Sequence, residues 1–421
     1  MIRILPTIIL PCIFPSLLYA QFTSSSANCA MKMSDITLPR LGSGKFEVGY
    51  VETMVEDGKN DDTNILLTIY YPADSTLTCE ESEHPLWLAR EEYLDGLAEY
   101  RNSSAELLHL VYNWFIGSKR IPARSHLALS NTAANYPVLI FSHGLAACRN
   151  FYSIFCSSLA SYGYVVAIVE HRDRSACWTY KLEIDETTKK RIEVPVKFRK
   201  LMPTEDEFQL RSGQLQIRVA ECIKTLHILE ELNLGQHNSD QHTGKKLLLG
   251  NDFAWSQFKG RLDIDRIFIA GHSFGGSTAI ATAAALPANI SAVVVLDGWM
   301  FPIDKELLTR VRQPILFLNA EDFQSEESIK DMLQVVENSK HSVLLTLNGA
   351  LHQSFTDFPI LIPKKLRRLL NLKTLRDPKQ YSEAVIELTA HFLKSYNENF
   401  RAALPNLLTY EDIITIGAKF P

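Results

Sequence analysis

Short apolar runs, each closed by a polar or glycine-bearing turn, recur through the middle of the chain: residues 136–141, 165–169, 267–270, 292–296, 315–318 and 343–347. Runs this short between turn signals read as buried strands. The intervals between them carry a longer period. Residues 152–162 read as a helix, and 205–232 as a long one in which Leu215, Val219, Cys222, Leu226 and Leu229 recur at helical spacing. That seam predicts packing against a sheet. Residues 277–285 are an alanine-rich helix, and helical pattern returns from 366 and over 381–396. Strands alternating with helices predict an α/β fold, a doubly wound and mostly parallel sheet with flanking helices.

The N-terminal part reads differently. Residues 48–54 and 65–71 form a β-hairpin around the acidic stretch 56–62, which lacks the glycine and terminal glutamate of a calcium loop. Residues 87–117 are helical with a break near Asn102, and Leu107, Leu108, Val111, Trp114 and Phe115 share one face. Residues 122–135 loop into the 136–141 strand, and the polar stretch 236–252 reads as a mobile insertion. No internal repeat or low-complexity tract interrupts this order.

Composition narrows the class. The chain has 421 residues, 46% of them hydrophobic, which is ample for a large core, and a net charge of −5 without a long basic run argues against nucleic acid. Residues 4–18 are mostly apolar behind Arg3 and end near Leu18-Tyr19-Ala20, the pattern of a cleaved secretory signal. The expected organisation is a signal peptide over 1–20 and one catalytic domain over 21–421, secreted to the extracellular side. Six cysteines follow the signal, at 29, 79, 148, 156, 177 and 222, and none forms a C-x-x-C pair or completes a zinc pattern, so no metal or cofactor is expected. Asn102-Ser103-Ser104 and Asn289-Ile290-Ser291 are glycosylation sequons.

The chemistry centres on Gly271-His272-Ser273-Phe274-Gly275, a G-x-S-x-G motif between a short buried strand and a helix. That context is the nucleophile elbow, in which a tight turn lifts a serine hydroxyl off the carboxyl edge of a sheet. A serine hydroxyl needs a base, and an imidazole steered by a carboxylate provides one. His352 follows the last parallel strand in the order Ser, acid, His that the elbow fold uses. Asp297, Glu321 and Asp322 all stand at suitable strand ends, and spacing does not separate them. The loop after the 136–141 strand, Ser142-His143-Gly144-Leu145, is positioned to supply one oxyanion amide at Leu145, with the other at Phe274.

Taken together, Gly271-His272-Ser273-Phe274-Gly275-Gly276, Leu296-Asp297-Gly298-Trp299-Met300-Phe301-Pro302, His352-Gln353-Ser354-Phe355, Phe141-Ser142-His143-Gly144-Leu145 and Glu170-His171-Arg172-Asp173-Arg174-Ser175-Ala176 resemble the platelet-activating-factor acetylhydrolases, the calcium-independent group VII phospholipases A2. The resemblance spans about residues 49–392. It implies an α/β-hydrolase fold, a triad of Ser273, Asp297 and His352, and oxyanion amides at Leu145 and Phe274. It further implies metal-free release of a short or oxidised sn-2 acyl group from a phospholipid, through an acyl-enzyme. With the leader, it favours the secreted, plasma-type branch. Trp299, Gln353 and Phe355 are candidate substrate-pocket residues. Docking on a lipoprotein or membrane surface is expected through Leu107, Leu108, Val111, Trp114 and Phe115, and through Leu366, Leu369 and Leu370. Ala146-Ala147-Cys148 departs from the family pattern beside the oxyanion loop. A broad carboxylesterase or polyester hydrolase would carry the same elbow and triad. A non-catalytic binding protein of this fold would usually have lost the serine or the histidine, and both are here.

Overall fold

The computed structural model describes residues 37–56, 64–74, 83–185, 187–188, 190–236, 246–369, 374–398, 400 and 412–419. The expected signal segment lies outside them. Their strands are β1 (Glu47–Glu56), β2 (Ile65–Ala73), β3 (Arg124–Ser125), β4 (Tyr136–Ser142), β5 (Val165–Glu170), β6 (Trp178–Ile184), β7 (Arg191–Lys197), β8 (Lys246–Leu249), β9 (Leu262–His272), β10 (Ile290–Leu296), β11 (Ile315–Ala320), β12 (Val343–Leu347) and β13 (Ile414–Ile416). The principal helices are α1 (Glu92–Arg101), α2 (Ala105–Phe115), α3 (Ser153–Ser161), α4 (Glu207–Leu234), α5 (Phe274–Ala285), α6 (Glu326–Glu337) and α7 (Pro378–Lys394).

Eleven strands form one sheet in the order β13-β12-β11-β10-β9-β4-β5-β2-β1-β3, with β8 also on β1. From β5 across to β12 every pairing is parallel. Both flanks turn antiparallel, through the β1–β2 hairpin against β5 and through β13 against β12. The β6–β7 hairpin stands apart from the sheet and has no counterpart in the sequence reading, although both strands alternate in character. Residues 237–245 lie outside the described residues. The end of the same polar insertion is no mobile loop: β8 pairs antiparallel with β1, because Leu247, Leu248 and Leu249 give it an apolar side to bury.

The parallel strands are buried on both faces, which is why their sequence reads as continuous apolar runs. Leu139, Phe141, Val166, Ile168, Phe268 and Leu296 join α3 and α7 in one core. Their neighbours Val138, Ile140, Ala167, Ile269, Val293 and Val295 join α4, α5 and α6 in the other. This alternation leaves the carboxyl ends of β4, β9, β10, β11 and β12 as the common edge at which loops can converge.

Candidate active site

Ser273 stands between β9 and α5 with φ 57° and ψ −118°, a conformation that costs a non-glycine residue strain. The turn holds it there through three main-chain bonds: Ser273 N–H to Leu296 O at 3.0 Å, and Trp299 N–H and Gly276 N–H to Ser273 O, each at 2.9 Å. Close approach explains the flanking glycines. A β-carbon on Gly271 would stand 2.0 Å from the Gly275 carbonyl oxygen, and one on Gly275 would stand 2.0 Å from that of Ser142.

The three candidate acids separate in space. Asp297, fully buried at the end of β10, receives His352 Nδ1–H on Oδ2 at 2.6 Å. Its Oδ1 accepts from the Ala320 amide at 3.0 Å and from Gln324 Nε2 at 2.6 Å. These donors fix its rotamer. Glu321 instead takes the Gly349 amide at 2.5 Å and Lys419 at 2.8 Å. Glu321 therefore holds the histidine loop by its backbone, while burial and the neighbouring Asp297 raise the Asp322 pKa. Phe323 stacks on the His352 ring with centroids 3.7 Å apart, fixing its plane.

Gly144 lies against the serine: a β-carbon there would be 3.2 Å from Ser273 Cβ. The amides on either side of Leu145 are engaged, Gly144 N–H by the Tyr152 hydroxyl at 3.0 Å and Ala146 N–H by Ser175 O at 2.7 Å. Phe274 opens α5, where the helix supplies its N–H with no carbonyl. Leu145 thus follows a glycine that lies against Ser273, and Phe274 follows Ser273 at the start of α5.

A second line of bonds ties the parts together. The Tyr152 hydroxyl accepts from Gly144 and lies 2.9 Å from His272 Nδ1, while His272 Nε2 lies 3.1 Å from the His352 carbonyl oxygen. With Nε2 as the donor and Nδ1 accepting from Tyr152, every contact is satisfied by a neutral imidazole. Burial, and then the neighbouring His352, push the His272 pKa well below its usual value. Behind the oxyanion loop, Arg218 of α4 is fully buried and donates to His143 O at 2.7 Å, to Asp173 at 3.0 Å and to Ser175 Oγ at 2.6 Å. Its guanidinium lies 4.3 Å over the Phe274 ring. Asp173 of the charged turn after β5 is thus held by a buried ion pair with Arg218.

Trp299 is 9% exposed, with its ring between Phe274 and Phe301. Gln353 is half-buried beside His352. Phe355 packs in the core with its ring 5.7 Å from that of His272. On α2 the expected single face is divided. Leu108 turns to the core, Leu107 and Val111 are half-buried, and Trp114 (50%), Leu110 (46%) and Phe115 (37%) are the exposed apolar side chains. Leu366 is half-buried on a short helix over Lys364–Leu369, the side chain of Leu369 is not described, and Leu370 lies outside the described residues. Both sequon asparagines, Asn102 and Asn289, are exposed at turns.

Sequence reasoning missed Tyr152, Arg218, Gln324 and Asp357. Asp357 had a visible signal, being a carboxylate just after the candidate histidine and followed by apolar residues. Arg218 sits in the apolar seam of α4, where a charge is out of pattern.

A serine raised on a strained strand-to-helix turn of a mostly parallel sheet, beside a carboxylate-held histidine, defines an α/β-hydrolase. A ferulic acid esterase from Streptomyces cinnamoneus shares the fold, with a TM-score of 0.55 over 85% of this chain and 92% of that one, at 16% identity. Residues 31–403 match the family model described as platelet-activating factor acetylhydrolase, isoform II. A platelet-activating factor acetylhydrolase of Gallus gallus is 33% identical over 366 residues, 84% of this chain and 82% of the relative. That of Canis lupus familiaris is 33% identical over 334 residues, 79% and 71%. A putative phospholipase A2 of Schizosaccharomyces pombe is 25% identical over 376 residues, 78% and 83%. The chain belongs to the platelet-activating factor acetylhydrolase family.

Proposed function

We propose that this protein is a secreted serine esterase that removes the sn-2 acetyl, or a short or oxidised acyl group, from platelet-activating factor and related phospholipids. The observation that carries the reading is the 2.6 Å bond from His352 Nδ1–H to Asp297, on the sheet edge that also presents Ser273 in its strained turn. Asp297 holds the Nδ1–H tautomer, which leaves His352 Nε2 as the base. Ser273 Oγ attacks the ester carbonyl as Nε2 takes its proton. The Leu145 and Phe274 amides stabilise the oxyanion, since preorganised donors need no reorientation as charge develops. Collapse expels the lysophospholipid, protonated by His352, and leaves an acyl-serine. Water activated by the same imidazole then releases the short acid. The family relationship supports the phospholipid ester as substrate class.

The test is hydrolysis of phospholipids carrying sn-2 acetyl or a long sn-2 acyl chain, with and without a chelator. Preference for acetyl, unchanged by chelation, supports the reading, because amides and no metal hold the oxyanion. Fast cleavage of soluble aryl esters with no phospholipid turnover would favour a broad carboxylesterase. Turnover lost on chelation and regained with calcium would remove the mechanism.

A further inference from the structure

The oxyanion loop is fastened to the loop between β5 and β6 by two main-chain bonds. One runs from Ala146 N–H to Ser175 O at 2.7 Å, the other from Cys177 N–H to Ala147 O at 3.0 Å. These bonds bring Cys148 and Cys177 face to face. Both side chains are fully buried and free. The other described cysteines are elsewhere: Cys156 on α3, and Cys222 on α4 in the core of the opposite sheet face. Two buried thiols on residues set side by side by a main-chain bond need little backbone movement to be joined, and such movement is the chief geometric barrier to a disulfide.

We propose that Cys148 and Cys177 form a disulfide during folding under oxidising conditions, a covalent brace between the loop that carries Leu145 and the loop that carries Asp173 and Ser175. The oxidant is a small-molecule disulfide such as oxidised glutathione. One cysteine thiolate attacks it, releasing one thiol and forming a mixed disulfide. The other cysteine thiolate then attacks the protein sulfur of that bond and releases the second thiol. The pair loses two electrons and two protons, and the oxidant gains both. In the folded chain burial shields the sulfurs, so the bond forms before the core closes and afterwards resists reductants. The brace acts where Leu145 stands, three positions before Cys148, and where Arg218 gathers Asp173, Ser175 and His143.

The test uses the full chain, refolded in a reduced and oxidised glutathione couple, alkylated in denaturant without reductant, and digested for mass spectrometry. The expected result is a cross-linked peptide pair carrying Cys148 and Cys177, two hydrogens lighter than its reduced parts, with Cys156 and Cys222 alkylated. Cys148 and Cys177 both alkylated, or either joined to another cysteine such as Cys29 or Cys79, would overturn the proposal. Chain refolded with the couple should also melt a few degrees above chain refolded without it. Cys148→Ser and Cys177→Ser should each abolish that difference, and Cys156→Ser should retain it. Equal melting of oxidised and reduced wild type would overturn the bracing role. Neither readout involves ester hydrolysis, so failure here leaves the reading of the active site standing on its own assay.

Discussion

Ser273 is held at positive φ by its neighbours, and its own side chain contributes nothing to that conformation. Ser273→Ala should therefore fold as wild type does while losing several powers of ten in turnover. A fluorophosphonate should label wild type and leave Ser273→Ala unlabelled; equal labelling of both would move the nucleophile elsewhere. Asp297→Asn keeps the shape but presents an amide that can favour the wrong imidazole tautomer. In a serine protease that change costs on the order of 10⁴-fold. Asp322→Asn and Glu321→Gln leave the Asp297–His352 bond in place and should cost less than about tenfold on the same scale. At this scale the motif and the chain order made Ser273 and His352 legible in the sequence, whereas spacing left three acids open and only the family resemblance pointed to Asp297. Spacing along a chain does not report which of two adjacent loops curls toward a ring.

The histidine loop is a separate element that has to be docked, and Asp357 is what docks it. Its fully buried carboxylate accepts from Ser153 N–H at 2.8 Å, Ser153 Oγ–H at 2.6 Å, Ile154 N–H at 3.1 Å and Trp87 Nε1–H at 2.9 Å. It thereby caps the start of α3 from another loop and draws the segment after His352 onto Trp87. Burial pushes its pKa up to about 7, against those donors, which lower it. The folded chain thus holds this proton more tightly than the unfolded chain does. Between the ordinary carboxylate range and about pH 7 unfolding releases it, so this group's contribution to stability falls as pH rises through that window. Asp357→Asn should flatten the corresponding slope of melting temperature against pH. It should also destabilise by about 1–3 kcal/mol, because donors lose part of their acceptor. A variant that keeps the wild-type slope would assign the slope to another group, such as Glu221, which burial also raises to about 7. Periodicity exposed the strands and α4, whose faces repeat. It could not expose Asp357 or Tyr152. Their partners lie far along the chain, whereas the strands of the β6–β7 hairpin do alternate and went unread.

For the whole molecule the open matter is how a site at the sheet edge meets an amphiphilic substrate. Within the described residues no helix is long and apolar enough to cross a membrane, so spanning by such a helix is not how this part of the chain would meet lipid. The α2 helix offers another route, since it leaves Leu110, Trp114 and Phe115 exposed while Leu108 and Tyr112 hold it to the core. An indole and two apolar side chains raised above a firmly packed helix suit shallow insertion at the headgroup level. Covering the exposed halves of Leu110 and Trp114 would contribute on the order of 2 kcal/mol, which sets adsorption as reversible. Leu110→Ser with Trp114→Ser should accordingly weaken binding to phosphatidylcholine vesicles by about tenfold or more, while sparing hydrolysis of a soluble aryl ester. Leu108→Ser is the contrast: it faces the core, so it should lower the melting temperature whether or not vesicles are present. If the Leu110 and Trp114 pair instead lowers the melting temperature and leaves vesicle binding unchanged, the outer face of α2 serves the fold, and the lipid must reach Ser273 across another surface.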